Sequence, residues 1–332
     1  MTYLVPSAGH VPVRLLGEGF ELQAGETLAS GLNRVTLEQF DLILAGLTDP
    51  GSELDDAVHE ARKAIKRLRA VLRLVRGSIG ERAFRAEDEV LKGASAGLSG
   101  VRDAVVMVGA VDRVRLDYGA LLAPGVFAEL DARLQRRAAL SRMRVLGDED
   151  LLRGTALTLY RARSRFAAWP TDSSDPRFGD RAIEHRFGSI AVGLAGTYRA
   201  GRRDMRYALR DGRAEAFHAW RRTAKYLRHQ VELLVPLWPE VMGGLARSLD
   251  SLGETLGDEH DLSELVVLVS QVPEICPDPA VRSMLVALAQ QRRRELQEAA
   301  RGQGLRIYAE PAENFIDRLG RYWDAWAVPT PT

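Results

Sequence analysis

HEARKAIKRLR, residues 59–69, and HAWRRTAKYLR, residues 218–228, are the two stretches on which a reading of this chain turns. Both place a histidine, a basic pair and a Lys-x-x-Arg or Lys-x-Leu-Arg tail at the same spacing. With His59 at 0° and about 100° per residue, His59, Arg62, Lys63, Lys66, Arg69 and Arg73 fall between about −80° and +40°. Val58, Ala61, Ala64, Ile65, Leu68, Leu72 and Val75 fall on the opposite side. In the second stretch His218, Arg221, Arg222, Lys225, Arg228 and His229 occupy the basic sector. Phe217, Trp220, Ala224, Leu227, Val231 and Leu234 occupy the apolar one. Each segment therefore reads as a helix that buries one stripe and presents a ridge of cations on the other.

The duplication extends outward from these helices. LSGVRDAVVMV begins at Leu98 and LGDEHDLSELV at Leu256, Gln135-Arg136-Arg137 is matched by Gln291-Arg292-Arg293, and Trp169 by Trp326. These landmarks keep their order at a nearly constant offset, far longer than the unit of a solenoid. They read as two homologous helical bundles of four main helices with an ancillary one. The expected boundaries are an extended segment over 1–25, a first bundle over 26–169, a linker over 170–180 and a second bundle over 181–328. Helices are expected near 26–47, 54–77, 82–110, 124–142 and 149–168, then 181–210, 213–235, 239–270, 279–301 and 310–327. Ser52 with Asp55 reads as a capping-box start. The stretch PTDSSDPRFG, 170–179, is rich in turn formers.

Composition agrees with a globular helical protein. The 332 residues are 46% apolar and 27% charged. No apolar run approaches the ~18 residues needed to span a bilayer, and the first ten residues lack the pattern of a secretory signal. The single cysteine, Cys276, excludes a disulfide framework and a cysteine-built zinc site, and fits a reducing, cytoplasmic setting.

Net charge is only +1, but the charge is segregated. Residues 59–76 hold seven Lys/Arg and one acid; residues 199–228 hold ten and three. Lysine occurs four times, and Lys63, Lys66 and Lys225 all lie in the duplicated stretches. An ordinary solvated helix face alternates its charges so that residues four apart attract; these ridges repel themselves. A self-repelling ridge made twice points to an anion that relieves it, and arginine forks fit phosphate oxygens. His59 and His218 sit among cations and should have depressed pKa values. They are poor metal ligands, since HEARK is not HExxH and no carboxylate cluster shares the face.

The paired His-x-x-Arg-(Arg/Lys)-x-x-Lys helices, each followed by a Leu-(Ser/Gly)-x-x-x-Asp segment, resemble the CHAD family, the conserved histidine α-helical domain. The resemblance covers roughly residues 25–328. It implies an all-α fold of two pseudo-symmetric antiparallel four-helix bundles with a basic cavity between them. It also implies binding of inorganic polyphosphate, association with polyphosphate granules, and granule proteins as further partners. Position by position, the implied contacts are His59, Arg62, Lys63, Lys66, Arg67 and Arg69 in one copy and His218, Arg221, Arg222, Lys225 and Arg228 in the other. Arg102 with Asp103 matches the family's Arg-Asp pair, and His260 with Asp261 stands there in the second half. Tyr226 occupies the place of Arg67, so the copies differ in charge.

Arg73 and His229 complete the two basic sectors. Arg199, Arg202, Arg203 and Arg206, with Arg210, have helical spacing and extend the basic surface. Arg292, Arg293 and Arg294 are consecutive, spread over most of a turn, and read as a solvated face. The leading expectation is a non-catalytic polyphosphate-binding protein without cofactor or metal. The alternatives are nucleic-acid binding, a phosphoanhydride-processing enzyme and a helical scaffold. Against the first, no nucleic-acid motif is present and Phe217 and Trp220 fall on the apolar stripe. Against the second, the chain has no Walker A loop and no Glu-x-Glu-x-Lys strand. No membrane association is expected.

Overall fold

The computed structural model describes residues 19–48, 54–98, 100–168 and 183–327, without the side chains of 100–105 and 145–146. Residues 1–18 of the extended segment, the Ser52 cap, Trp169, the 170–180 linker and the Arg102 and Asp103 side chains lie outside these limits. Among the described residues there is no strand, and the chain is all-α. The first half comprises α1 (Leu28–Thr48), α2 (Leu54–Leu74), α3 (Arg76–Ile79), α4 (Glu81–Gly97), α5 (Gly100–Tyr118), α6 (Ala128–Leu146) and α7 (Glu149–Ala167). The second comprises α8 (Gly188–Asp211), α9 (Ala214–Leu233), α10 (Pro239–Gln271), α11 (Pro279–Ile307) and α12 (Ala312–Ala327).

The ends of these helices are set by local chemistry. Asp148 caps α7 by accepting from the Leu151 N–H at 2.9 Å, and Asp278 caps α11 by accepting from the Ala280 N–H at 2.8 Å. Pro239 and Pro279 open α10 and α11, where a missing N–H costs nothing. Gly212, at φ 73°, ends α8 in the left-handed conformation and sends its N–H to the Ala208 carbonyl.

One expected helix, 82–110, is two: α4 ends at Gly97 and α5 begins at Gly100. Gly93, Gly97 and Gly100 crowd this stretch, and each glycine disfavours helix by about 1 kcal/mol relative to alanine. The matching stretch of the second half has Gly253 and Gly257 and runs unbroken through α10, whose 33 residues reach about 50 Å.

The apolar residues gather into three cores. The first lies among α1, α2, α4 and α7, with Phe40, Ile65, Leu68, Leu91 and Phe166 at its centre. Another lies among α8, α9, α12 and the adjoining parts of α10 and α11, around Tyr198, Trp220, Leu249 and Phe315, and takes in Leu28 and Leu32 of α1 and Val71 and Leu74 of α2. The remaining core also joins the halves: Val111 and Val114 of α5, Phe127 just before α6 and Leu130 of α6 pack with Leu262 and Leu265 of α10 and Leu285 of α11. The α5–α6 hairpin thus rests on the other half's long hairpin.

The motif helices cross each other. Gln230 of α9, buried, donates from Nε2 to the Ala70 carbonyl of α2 at 3.0 Å. The contacts are reciprocal across the repeat. Tyr226 of α9 lies under Arg73 and Arg69 of α2, at 4.0 and 5.7 Å, while Arg67, its counterpart on α2, lies in the field of Arg228 and Glu232. The described end of the N-terminal segment closes this crossing. Leu22 N–H donates to the Leu233 carbonyl at 3.0 Å, and the Phe20 ring sits 5.0 Å from the Arg67 guanidinium.

Candidate functional site

On α2, His59 and Lys63 are exposed, and Lys63 stands 3.5 Å from Glu60, a surface pair worth at most about 1 kcal/mol. Arg62 donates to the Ser95 carbonyl of α4 at 3.2 Å, and Lys66 is half-buried. The later ridge residues face α4 and α9. Asp88 of α4 accepts from both guanidiniums, from Arg69 at 2.8 Å and Arg73 at 2.9 Å, so one carboxylate holds two arginines. Burial opposes the Asp88 charge, but the bonds from Arg69 and Arg73 outweigh it and hold the carboxyl below the usual range. Arg67, at the crossing, donates to Gln39 at 3.3 Å.

On α9 the ridge runs along α10. His218 Nδ1 lies 3.3 Å from His260 Nδ1. Arg221 lies over the bare backbone of Gly257, and the Lys225 stem over Gly253 one turn earlier. Arg222 is exposed beside them. Further along, Arg228 pairs with Glu232 at 2.9 Å and Asp250 at 2.7 Å, and His229, 5% exposed, contacts Glu232 at 2.7 Å. His218, Arg221, Arg222, Lys225 and His260 are thus brought together, whereas His229 and Arg228 are engaged at the crossing.

Carboxylates around the ridges are held by arginines that the sequence did not single out for this role. Arg113 of α5 bridges to Asp258 and Asp261 of α10 at 3.1 and 2.9 Å. Glu259, 1% exposed, accepts from Arg293 at 2.7 Å and Gln297 at 2.9 Å. Arg293, read from the sequence as part of a solvated run, is instead bound to α10. Arg292 pairs with Asp117 at 2.8 Å, and Arg294 donates to Gln291. Arg199, Arg202, Arg203 and Arg206 lie on α8, beside α12, apart from the α9–α10 groove.

The histidines register the local environment. Burial, then His218, Arg221, Lys225 and Arg293, push His260 down to about 4. Burial, followed by Arg221, Arg222 and Lys225, lowers His218, and burial lowers His229 against the pull of Glu232. All three therefore bind protons less readily when folded than the ordinary value of about 6.5. As pH falls below about 6.5 the unfolded chain takes up protons that the folded chain refuses. Stability should fall between about pH 6.5 and 4 and, for these groups, stay flat above. Urea unfolding across pH should show it, and His260→Gln should reduce the slope by up to about 1.4 kcal/mol per pH unit.

Two cation-bearing helices crossing in a duplicated all-α framework define the class of protein. The CHAD domain model matches residues 37–270, which include both motif helices. The chain belongs to the CHAD-domain family. Among solved structures it is similar to PptA from Streptomyces chartreusis, at 16% identity and a TM-score of 0.55, over 86% of this chain and 100% of that one. It is also similar to the CHAD domain from the plant Ricinus communis, at 18% identity and a TM-score of 0.53, over 92% and 94% of the two chains. These likenesses are of fold. No curated protein matches the sequence. No described helix is long and apolar enough to cross a membrane.

Proposed function

We propose that this protein binds inorganic polyphosphate without altering it, through the cations of α2 and α9, and that binding places it at polyphosphate granules. The observation that carries the reading is the file His218, Arg221, Arg222 and Lys225 along the α10 trough at Gly253 and Gly257. After burial, the depression of His260 comes from His218, Arg221 and Lys225 of this file and from Arg293. A site that resists one more positive charge favours an anion. Lys63 and Lys66 supply the corresponding cations on α2 beside His59, and one polyanion reaching past the crossing contacts both helices.

Polyphosphate fits better than nucleic acid because Phe217 and Trp220 are buried at 2% and 0% exposure and offer no face for base stacking. A binding role fits better than catalysis because Asp88, Asp250, Asp258, Glu259 and Asp261 already face arginines. Incubation with long-chain polyphosphate, with and without Mg2+, tests this. The expected outcome is saturable binding with no release of phosphate and no change of chain length. Phosphate release lost in His59→Ala or His218→Ala would assign an enzyme instead.

A further inference from the structure

The five arginines of α8 form a groove of their own. Arg199, Arg202, Arg203, Arg206 and Arg210, with the exposed Tyr207, line a depression of about 600 Å3 closed on one side by the start of α12. They lie away from the face of α8 that carries Leu194, Tyr198, Met205 and Ala208 into the core. The α9 ridge, by contrast, is turned towards α10, and the two grooves share no lining residue.

The groove keeps surplus charge. Arg199 pairs with Glu313 at 3.2 Å and Arg203 with the adjacent Asp204 at 2.9 Å. Arg202, Arg206 and Arg210 have no ion pair among the described residues, and Arg210 lies 5.7 Å from the Tyr207 ring. The fold does not require them. The matching part of α1 reads Phe40 to Thr48, FDLILAGLT, with no cation in it, yet it closes its own half. A row of arginines added to one copy of a duplicated helix, spaced by three and four residues, repels itself unless an anion lies along it.

We infer that the α8 groove is a second, independent polyphosphate site, so that one protein joins two polyphosphate chains and condenses them. This rests on the polyphosphate reading given above. The ridge site captures one chain. The α8 groove, facing another way, then takes a segment of a neighbouring chain, and many such bridges gather chain and protein into a dense phase. The multivalency comes from one chain's geometry rather than from oligomerisation.

The test uses the full chain and two probes, a short polyphosphate too small to reach both grooves and a long-chain polyphosphate. Calorimetry with the short probe should give about two chains per protein, and Arg202→Glu/Arg206→Glu should reduce this to about one while leaving the remaining dissociation constant within about twofold. Light scattering with the long probe should be strong for the unmodified protein and lost in that variant. Arg136→Glu/Arg137→Glu, an exposed pair on α6 with the same charge change, should leave both readings unaltered. One short chain per unmodified protein, or scattering retained by the α8 variant, overturns the second site alone. Loss of scattering in the α6 variant as well shows a net-charge effect and also overturns it. Failure of the unmodified protein to bind either probe overturns the polyphosphate reading, and this inference with it.

Discussion

Arg222→Glu/Lys225→Glu should weaken polyphosphate binding at the ridge by about 100-fold or more at physiological salt. Each removed cation takes away a charge-assisted contact worth roughly 1.5–3 kcal/mol, and its replacement adds repulsion. The fold should be little affected. Arg222 is exposed, the Lys225 contact described is its stem against Gly253, and a carboxylate at position 225 stands four residues from Arg221 and three from Arg228, where opposite charges attract. Lys63→Glu/Lys66→Glu should act in the same direction. If the two ridges serve one polyanion, either double variant lowers the affinity and leaves the number of ridge sites unchanged. Halved ridge stoichiometry at unaltered affinity would show two separate ridge sites. Fluorescence anisotropy gives the affinity and calorimetry the stoichiometry.

Gly193→Ala should be among the most destabilising single substitutions in the molecule. A Cβ at this position of α8 would overlap the Leu74 carbonyl oxygen and crowd that of Arg73, at the end of α2. Backbone cannot swing aside as a flexible side chain does, so α8 and α2 must separate. Overpacking of this kind costs about 1–3 kcal/mol, and more where the obstacle is main chain. The separation would also loosen the crossing at Ala70 and Gln230, which fixes the angle between the two ridges. A loss of roughly 3 kcal/mol or more corresponds to about 4 °C or more in Tm for a chain of 332 residues. Gly196→Ala, three residues on, meets nothing within 4 Å and should leave Tm unchanged or slightly raised. Differential scanning calorimetry of the two variants separates close approach from a generic loss of glycine.

Helical periodicity carried most of the fold into the sequence. The apolar stripes of α2 and α9 are buried as their spacing requires, from Val58 to Val75 and from Phe217 to Leu234. What periodicity could not give is neighbours. His229 lies at nearly the same angle as Arg222 on the α9 wheel, yet it stands about 10 Å further along the axis. At that height α2 crosses, so the same sector that is open at Arg222 is closed at His229. Arg69 and Arg73 read as ridge residues for the same reason; the carboxylate that engages them, Asp88, sits on a different helix.

The break between α4 and α5 was written in Gly93, Gly97 and Gly100, but its consequence was not. It frees the α5–α6 hairpin to pack on α10 and α11, a core whose two sides are roughly 150 residues apart. Arg113, which crosses that gap to Asp258 and Asp261, belongs to no motif and has no local signal. The second basic set, Arg199 to Arg210, was visible as helical spacing. That it forms a groove with α12, apart from the α9–α10 groove, depends on packing alone.

Polyphosphate binding calls for cations arranged for phosphate rather than for bases. Competition between long-chain polyphosphate and duplex DNA of matched total charge, titrated against the full chain at several salt concentrations, tests this most directly. Polyphosphate should bind more tightly at every salt concentration, with an affinity that falls steeply on a log–log plot as counterions are released. Equal or tighter binding of the DNA at physiological salt would contradict it.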